Sequence, residues 1–151
     1  MEERAPDWMD LAFEEAEAAA AEDEVPVGAV LVDAEGRLLA RAHNRVEALA
    51  DPTAHAEMLV IREAARELGQ KRLPEAELYV TLEPCPMCAQ AIAFARLRHL
   101  HFGAYDPKGG GVVNGPRIFE QPTCHHRLTV TGGLQEPRAA ALLRGFFRAR
   151  R

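Results

Sequence analysis

Two short runs carry the residues best suited to chemistry: His55-Ala56-Glu57, and Pro84-Cys85-Pro86-Met87-Cys88 some thirty residues later. Cysteines at i and i+3 at the start of a helix project to one side, so both thiolates can hold a single metal ion. The helix dipole favours their thiolate form. His55 stands at the expected start of a second helix and supplies a third ligand if the two helix starts converge at one sheet edge. Three protein ligands, Cys₂His, leave the fourth tetrahedral position to water, the arrangement of catalytic rather than structural zinc. Two thiolates and a neutral imidazole cancel the charge of Zn²⁺. Water held there is acidified less than at a three-histidine site, and a neighbouring base helps remove its proton. Glu57, two residues from the histidine, fits that base: it can take the proton and pass it to a leaving group.

Other readings of these residues are weaker. A C-x-x-C can be a redox pair, but a redox pair requires neither His55 nor Glu57. A structural zinc site needs a fourth protein ligand, and the one further Cys/His cluster is Cys124-His125-His126. Three successive side chains reach one ion only with strain, so hydrogen-bonded or solvated loop positions are expected for them. His99 and His101 alternate as in a strand and take the same reading, as does His43. H-x-E followed by P-C-x-x-C is, moreover, the general signature of zinc nucleobase deaminases.

The elements that must position these residues follow from hydrophobic periodicity. Trp8, Met9, Ala12, Phe13, Ala16, Ala19 and Ala20 recur at helical spacing after Asp7, with acids opposite, and Pro26 ends that helix. Residues 27–32 read as a strand buried on both faces, and Asp33–Gly36 as the turn of a hairpin with a second strand over 37–44. After the break at Asp51-Pro52-Thr53 comes a helix whose Met58, Ile61, Ala65 and Leu68 face one way, closed by Gly69. A short strand over 78–82 precedes Pro84 and Pro86, which suit the start of a helix running through Ile92 and Phe94. His99–Phe102 is a strand, 104–126 is loop-rich, 128–131 is a fifth strand, and 137–148 is a closing helix. Strands alternating with helices over this length imply a single domain, residues 1–151, of three-layer α/β architecture with a central sheet.

The 151 residues are 48% hydrophobic and 27% charged, the balance of a globular protein. The longest apolar runs, near Ala29–Val32 and Ala91–Ala95, are far short of a membrane span. The acidic N-terminus is unlike a signal peptide. Three cysteines, an odd count, argue for metal or thiol chemistry in a reducing compartment, the cytosol by default. The net charge is −5, but residues 1–24 set ten acids against Arg4 alone, a balance of −9, so the rest carries +4. Beyond Glu136 there is no acid, only Arg138, Arg144, Arg148, Arg150 and Arg151. A basic last helix is a place for phosphate, or simply a complement to its own dipole.

With these residues in view, the chain resembles the bacterial tRNA adenosine deaminases, which convert a wobble adenosine to inosine, within the cytidine-deaminase-like superfamily. The resemblance runs through residues 24–30, Asn44, 51–57 and 79–85, then Phe102-Gly103-Ala104, Asp106, Lys108, 141–143 and 146–148. It implies an α/β/α fold on a five-stranded mixed sheet, one zinc per chain, and a homodimer with active sites near the subunit interface. By position it makes His55, Cys85 and Cys88 the metal ligands and Glu57 the proton shuttle. It makes Asn44, Ala56, Pro84, Asp106, Lys108 and Phe147 the substrate-binding residues: Asn44 hydrogen-bonds the base, and Phe147 helps hold the anticodon loop. The reaction implied is attack of hydroxide on C6 of a flipped-out adenine with release of ammonia. The chain departs from the family's pattern over 109–117 and 121–126, and at Tyr105. That altered loop and the acidic net charge motivate an alternative expectation, a deaminase of a free base or nucleoside such as guanine, cytosine or a related heterocycle.

Overall fold

The computed structural model describes residues 7–150. Five strands form one mixed sheet in the order β2-β1-β3-β4-β5. β1 (Gly28–Val32) pairs antiparallel with both β2 (Leu38–His43) and β3 (Glu77–Leu82). β4 (His99–Ala104) runs parallel to β3, and β5 (Thr129–Thr131) parallel to β4. This is the three-layer, five-stranded architecture that the strand–helix alternation and the resemblance led to.

Helix α1 (Trp8–Ala21) begins at Asp7, whose carboxylate accepts from Met9 N at 3.0 Å. Met9, Ala12, Phe13, Ala16 and Ala19 bury its inner face, while Trp8 and Ala20 are half-buried. Together with α5 (Glu136–Arg148) it covers one side of the sheet, where Met9, Phe13, Ala104 and Ala139 form a small core. The close approach of α1 over β1 requires Gly28: a Cβ there would stand 2.0 Å from Ala12 O and 2.5 Å from Ala16 N. The larger core lies on the other side, where α3 (Ala56–Leu68) and α4 (Pro86–Phe94) pack on Leu31, Leu78, Val80, Leu100 and Phe102.

The inward face of α3 differs from the expectation. Ala56, Glu57, Val60 and Ala64 are buried, whereas Leu68 is exposed and Met58, Ile61 and Ala65 are half-buried. Small residues win the inner stripe because the helix sits close to the sheet, and the larger ones are left at its flanks. A short helix, α2 (Val46–Leu49), was not visible in the periodicity. Its N-terminus is held by buried Glu24, whose carboxylate accepts from Glu47 N at 3.0 Å and Ala48 N at 2.8 Å.

The topology brings four strand ends to one edge: the end of β2, the start of β1, and the carboxyl ends of β3 and β4. Loops leaving parallel strands on that side are where α/β sheets place ligands. There the chain leaves β3 for α4 through Glu83-Pro84-Cys85, and leaves β4 through Tyr105-Asp106.

Candidate functional site

His55 and Cys85 occupy equivalent places, the N-cap residues of α3 and α4, with extended backbone and no side-chain capping bond. Their side chains are therefore spared for other partners. Pro86 at the first position of α4 fixes the turn that carries Cys85 and Cys88 round to one side. His55 Nδ1 lies 3.6 Å from Cys85 Sγ and 3.4 Å from Cys88 Sγ. Tetrahedral zinc with bonds of about 2.0–2.1 Å to nitrogen and about 2.3 Å to sulfur sets such ligands about 3.6 Å apart. The three donors thus fit a tetrahedral zinc site in spacing as well as type, and they leave one position without a protein ligand.

Charge agrees with this fit. The hydrogen bond from Cys88, aided by His55, outweighs burial and brings the Cys85 thiol down to about 4. The same bond, with burial, pushes Cys88 above its usual range. His55 is raised, first by its bond to Cys85 and against the effect of burial. A readily ionised thiol beside an imidazole is an arrangement to which a divalent cation binds with release of protons.

Glu57 is 3% exposed, and its Oε1 is the one buried side-chain polar atom without a partner among the described residues. Burial pushes its carboxyl up to about 7. It lines a cavity of about 530 Å³ together with His55, Cys85 and Asn44. Asn44 is buried, and its Oδ1 accepts from Ala56 N at 2.8 Å; that bond assigns the amide orientation and leaves Nδ2 as its donor.

The other substrate-binding expectations fall in different places. Ala56 is fully buried with its N–H committed to Asn44, and Pro84 is buried with its carbonyl accepting from Gly111 N at 2.8 Å; neither lines the cavity. Asp106 does line it, and its carboxylate accepts from Lys108 N and Gly109 N at 3.2 and 2.9 Å. Lys108 and Phe147 lie just outside, in an adjoining groove with Leu143 and Tyr105. In the last helix it is Phe146 that walls the cavity, while Phe147 is 50% exposed. Arg150 closes over that wall, its guanidinium 3.5 Å above the Phe146 ring and 2.5 Å from Asp23 Oδ1. Arg144 and Arg148 line a second groove beside Phe147 and Lys108. Arg151 lies outside the described residues.

Glu83 escaped the motif reading. Its carboxylate, 2% exposed, accepts from Asp106 N, Asn114 Nδ2, Val112 N, Val113 N and Asn114 N at 2.7–3.1 Å. Burial alone would raise its pKa, but these bonds hold it below the usual range. Gly110 and Gly111 let the 106–114 loop sit against it: a Cβ on Gly110 would stand 2.5 Å from the Glu83 carboxylate, and one on Gly111 2.5 Å from Pro86 N. A lone acid between an apolar strand and a proline was the available signal. Cys124 is buried with Sγ 3.1 Å from His126 O, and His126 Nε2–H donates to Leu97 O at 2.7 Å, so this cluster is occupied with loop structure. His43 bonds Glu15 and Glu22 at 2.8 Å each.

Comparison with known proteins adds to this geometry. Residues 2–104 match the family model described as the cytidine and deoxycytidylate deaminase zinc-binding region. The tRNA-specific adenosine deaminase of Agrobacterium fabrum is 59% identical over 144 residues, spanning 95% of this chain and 94% of that protein. That of Bacillus subtilis is 46% identical over 141 residues, 93% and 87% of the two chains. A solved structure from studies of A-to-I editing by tRNA:A34 deaminases superposes with a TM-score of 0.88 at 59% identity, covering 90% of this chain and 98% of its own. A guanine deaminase from Nitrosomonas europaea follows with 0.80 at 26% identity, covering 96% and 86%.

Proposed function

The chain belongs to the cytidine and deoxycytidylate deaminase zinc-binding family, and from that membership we propose that it hydrolyses the wobble adenosine of tRNA to inosine. The observation that carries the reaction class is the unpartnered, buried Glu57 Oε1 in the cavity that His55 and Cys85 also line, with Cys88 completing the metal-ligand group behind them. The substrate rests on the near-full-length likeness to tRNA-specific adenosine deaminases.

His55, Cys85 and Cys88 would hold the zinc ion, which when bound supplies the Lewis acidity that lowers the pKa of water from about 15.7 towards about 7. Glu57 takes the proton of the attacking water and delivers it to the departing amino group. Water's oxygen replaces nitrogen at C6, and ammonia leaves. Asn44 Nδ2 donates to a ring acceptor of the base, and the apolar side chains of Val27, Leu82 and Phe146 exclude bulk water. Lys108, Arg144, Arg148 and Phe147, outside the cavity mouth, hold the phosphates and a flanking base.

The enzyme works as one domain over residues 1–151, as a homodimer, in the cytosol. Phe94, 71% exposed on α4 in a groove with Ile61 and Ala91, supports a protein contact there. The cysteines are all free, as in a reducing compartment. No helix of the described residues is long and apolar enough to cross a membrane.

Ammonia release measured on an anticodon stem-loop carrying a wobble adenosine, beside adenosine, guanine and cytosine, tests this reading. Inosine in the stem-loop is the expected product. Turnover of a free base in its place would overturn the tRNA assignment and favour the free-base reading, which rests on the weaker guanine deaminase likeness.

A further inference from the structure

A second convergence of metal-ligating side chains lies at the opposite end of the sheet from Glu57. Glu77 opens β3 and His99 opens the neighbouring β4, and the two are direct cross-strand partners. His101, two residues further on, shares their face of the sheet because strand side chains alternate. The edge is roughly 17 Å from the β3 carboxyl end, five residue steps at about 3.3 Å, and this group shares no residue with Glu57 or with His55, Cys85 and Cys88.

Glu77 Oε1 lies 3.0 Å from His101 Nε2 and 3.5 Å from His99 Nδ1. One donor from each residue falls within 4.8 Å of the others. All three side chains are half-buried, 13–23% exposed. Two outer contacts orient the donors. His99 Nε2 sits 2.8 Å from Thr131 Oγ1, which leaves Nδ1 as the lone-pair nitrogen when Nε2–H donates. Arg98 holds the other Glu77 oxygen, Oε2, at 2.5 Å. Metal-ligating histidines and carboxylates characteristically have such partners behind them. The two imidazoles stack 3.7 Å apart, 18° from parallel, and His101 stacks in turn on Tyr79 at 4.1 Å.

We propose that Glu77, His99 and His101 form a second divalent-metal site, a two-histidine, one-carboxylate set that takes Zn²⁺ or another imidazole-seeking transition-metal ion. It is independent of the deaminase reading and holds whichever base the cavity accepts.

The test is the zinc content of the full chain, already carrying its catalytic zinc, after equilibrium dialysis against micromolar ZnCl₂. About two ions per chain are expected for the native protein, and about one for the His99→Ala/His101→Ala variant, with deamination of its substrate retained. Thr131→Val keeps the ring ligands and the β-branched shape but removes the outer oxygen, and should weaken the second ion's binding by ~10-fold or more. CoCl₂ added to the zinc-loaded protein should give d–d absorption without a thiolate-to-cobalt charge-transfer band. One ion per chain in the native protein, or a second ion that persists in the double variant, would overturn the proposal. If the double variant does not fold, the native stoichiometry and Thr131→Val decide the matter alone.

Discussion

The Glu57 carboxyl is buried in the first turn of α3. A carboxylate buried with one oxygen unpartnered is costly in its charged form, and burial here pushes its pKa up to about 7. A group poised there can both accept and return a proton near neutral pH. Replacing the carboxyl by an amide removes the proton carrier and leaves His55, Cys85 and Cys88 untouched. Glu57→Gln should therefore retain zinc, measured by metal analysis, while inosine formation falls by ~10²–10⁴-fold. Glu83 shows the opposite treatment of the same functional group. Its two oxygens meet five donors, so it stays charged and ties the 106–114 loop to the chain segment that carries Cys85. Placed two positions before a cysteine ligand, it holds one wall of the cavity against the metal-binding turn.

At the scale of elements, α1 is held on the sheet by shape over β1 and by charge at β2. Gly28 allows the shape. Because its added Cβ would overlap Ala12 O, Gly28→Ala should cost at least about 1–3 kcal/mol, the usual penalty of overpacking. A urea titration should show a lower midpoint with an unchanged slope. The charge contact joins Arg41 to Glu14 and Glu15, and His43 to Glu15 and Glu22. Burial alone would lower the His43 pKa, but its bonds to Glu15 and Glu22 prevail and raise it above 6.5. A raised folded-state pKa means that the contribution is complete below about 6.5 and is lost as pH climbs through the folded value. Thermal midpoints taken across that window should fall more for the native protein than for His43→Gln, and the two should diverge most at the acidic end.

Over the whole molecule, charge is separated by element: acids dominate α1 and arginines dominate the end of α5. Arg138 and Arg150 are drawn into pairs with Asp10 and Asp23, so they spend their charge inside the protein. Arg144 and Arg148 remain on the groove beside Lys108 and Phe147. With phosphate as their partner, binding of the stem-loop should weaken steeply with salt, since each neutralised phosphate releases counterion. Arg144→Ala and Arg148→Ala should each lower the slope of log K against log salt by about 0.7–0.9, read by fluorescence anisotropy over a salt series. A slope that does not change would remove those residues from the phosphate contact.

The amino-acid sequence alone determined most of what local spacing governs, though neither α2 nor the buried face of α3. The i, i+3 cysteines behind Pro84, the H-x-E triplet, the start of α1 after Asp7, the hairpin turn and the five strands are each encoded within a few residues, and each stands where spacing placed it. Tertiary structure decided whatever depends on which distant segments meet. It turned Ala56 and Pro84 away from the cavity by spending their backbone groups on Asn44 and Gly111. It gave the cavity wall to Phe146 and the open groove to Phe147, a choice between adjacent aromatics made by the rotation of one helix against the sheet. The roles of Glu83 and of the Glu77–His99–His101 group were hidden for the same reason. Their partners lie some twenty to thirty residues away along the chain, and only the folded backbone brings those donors and acceptors within hydrogen-bonding distance.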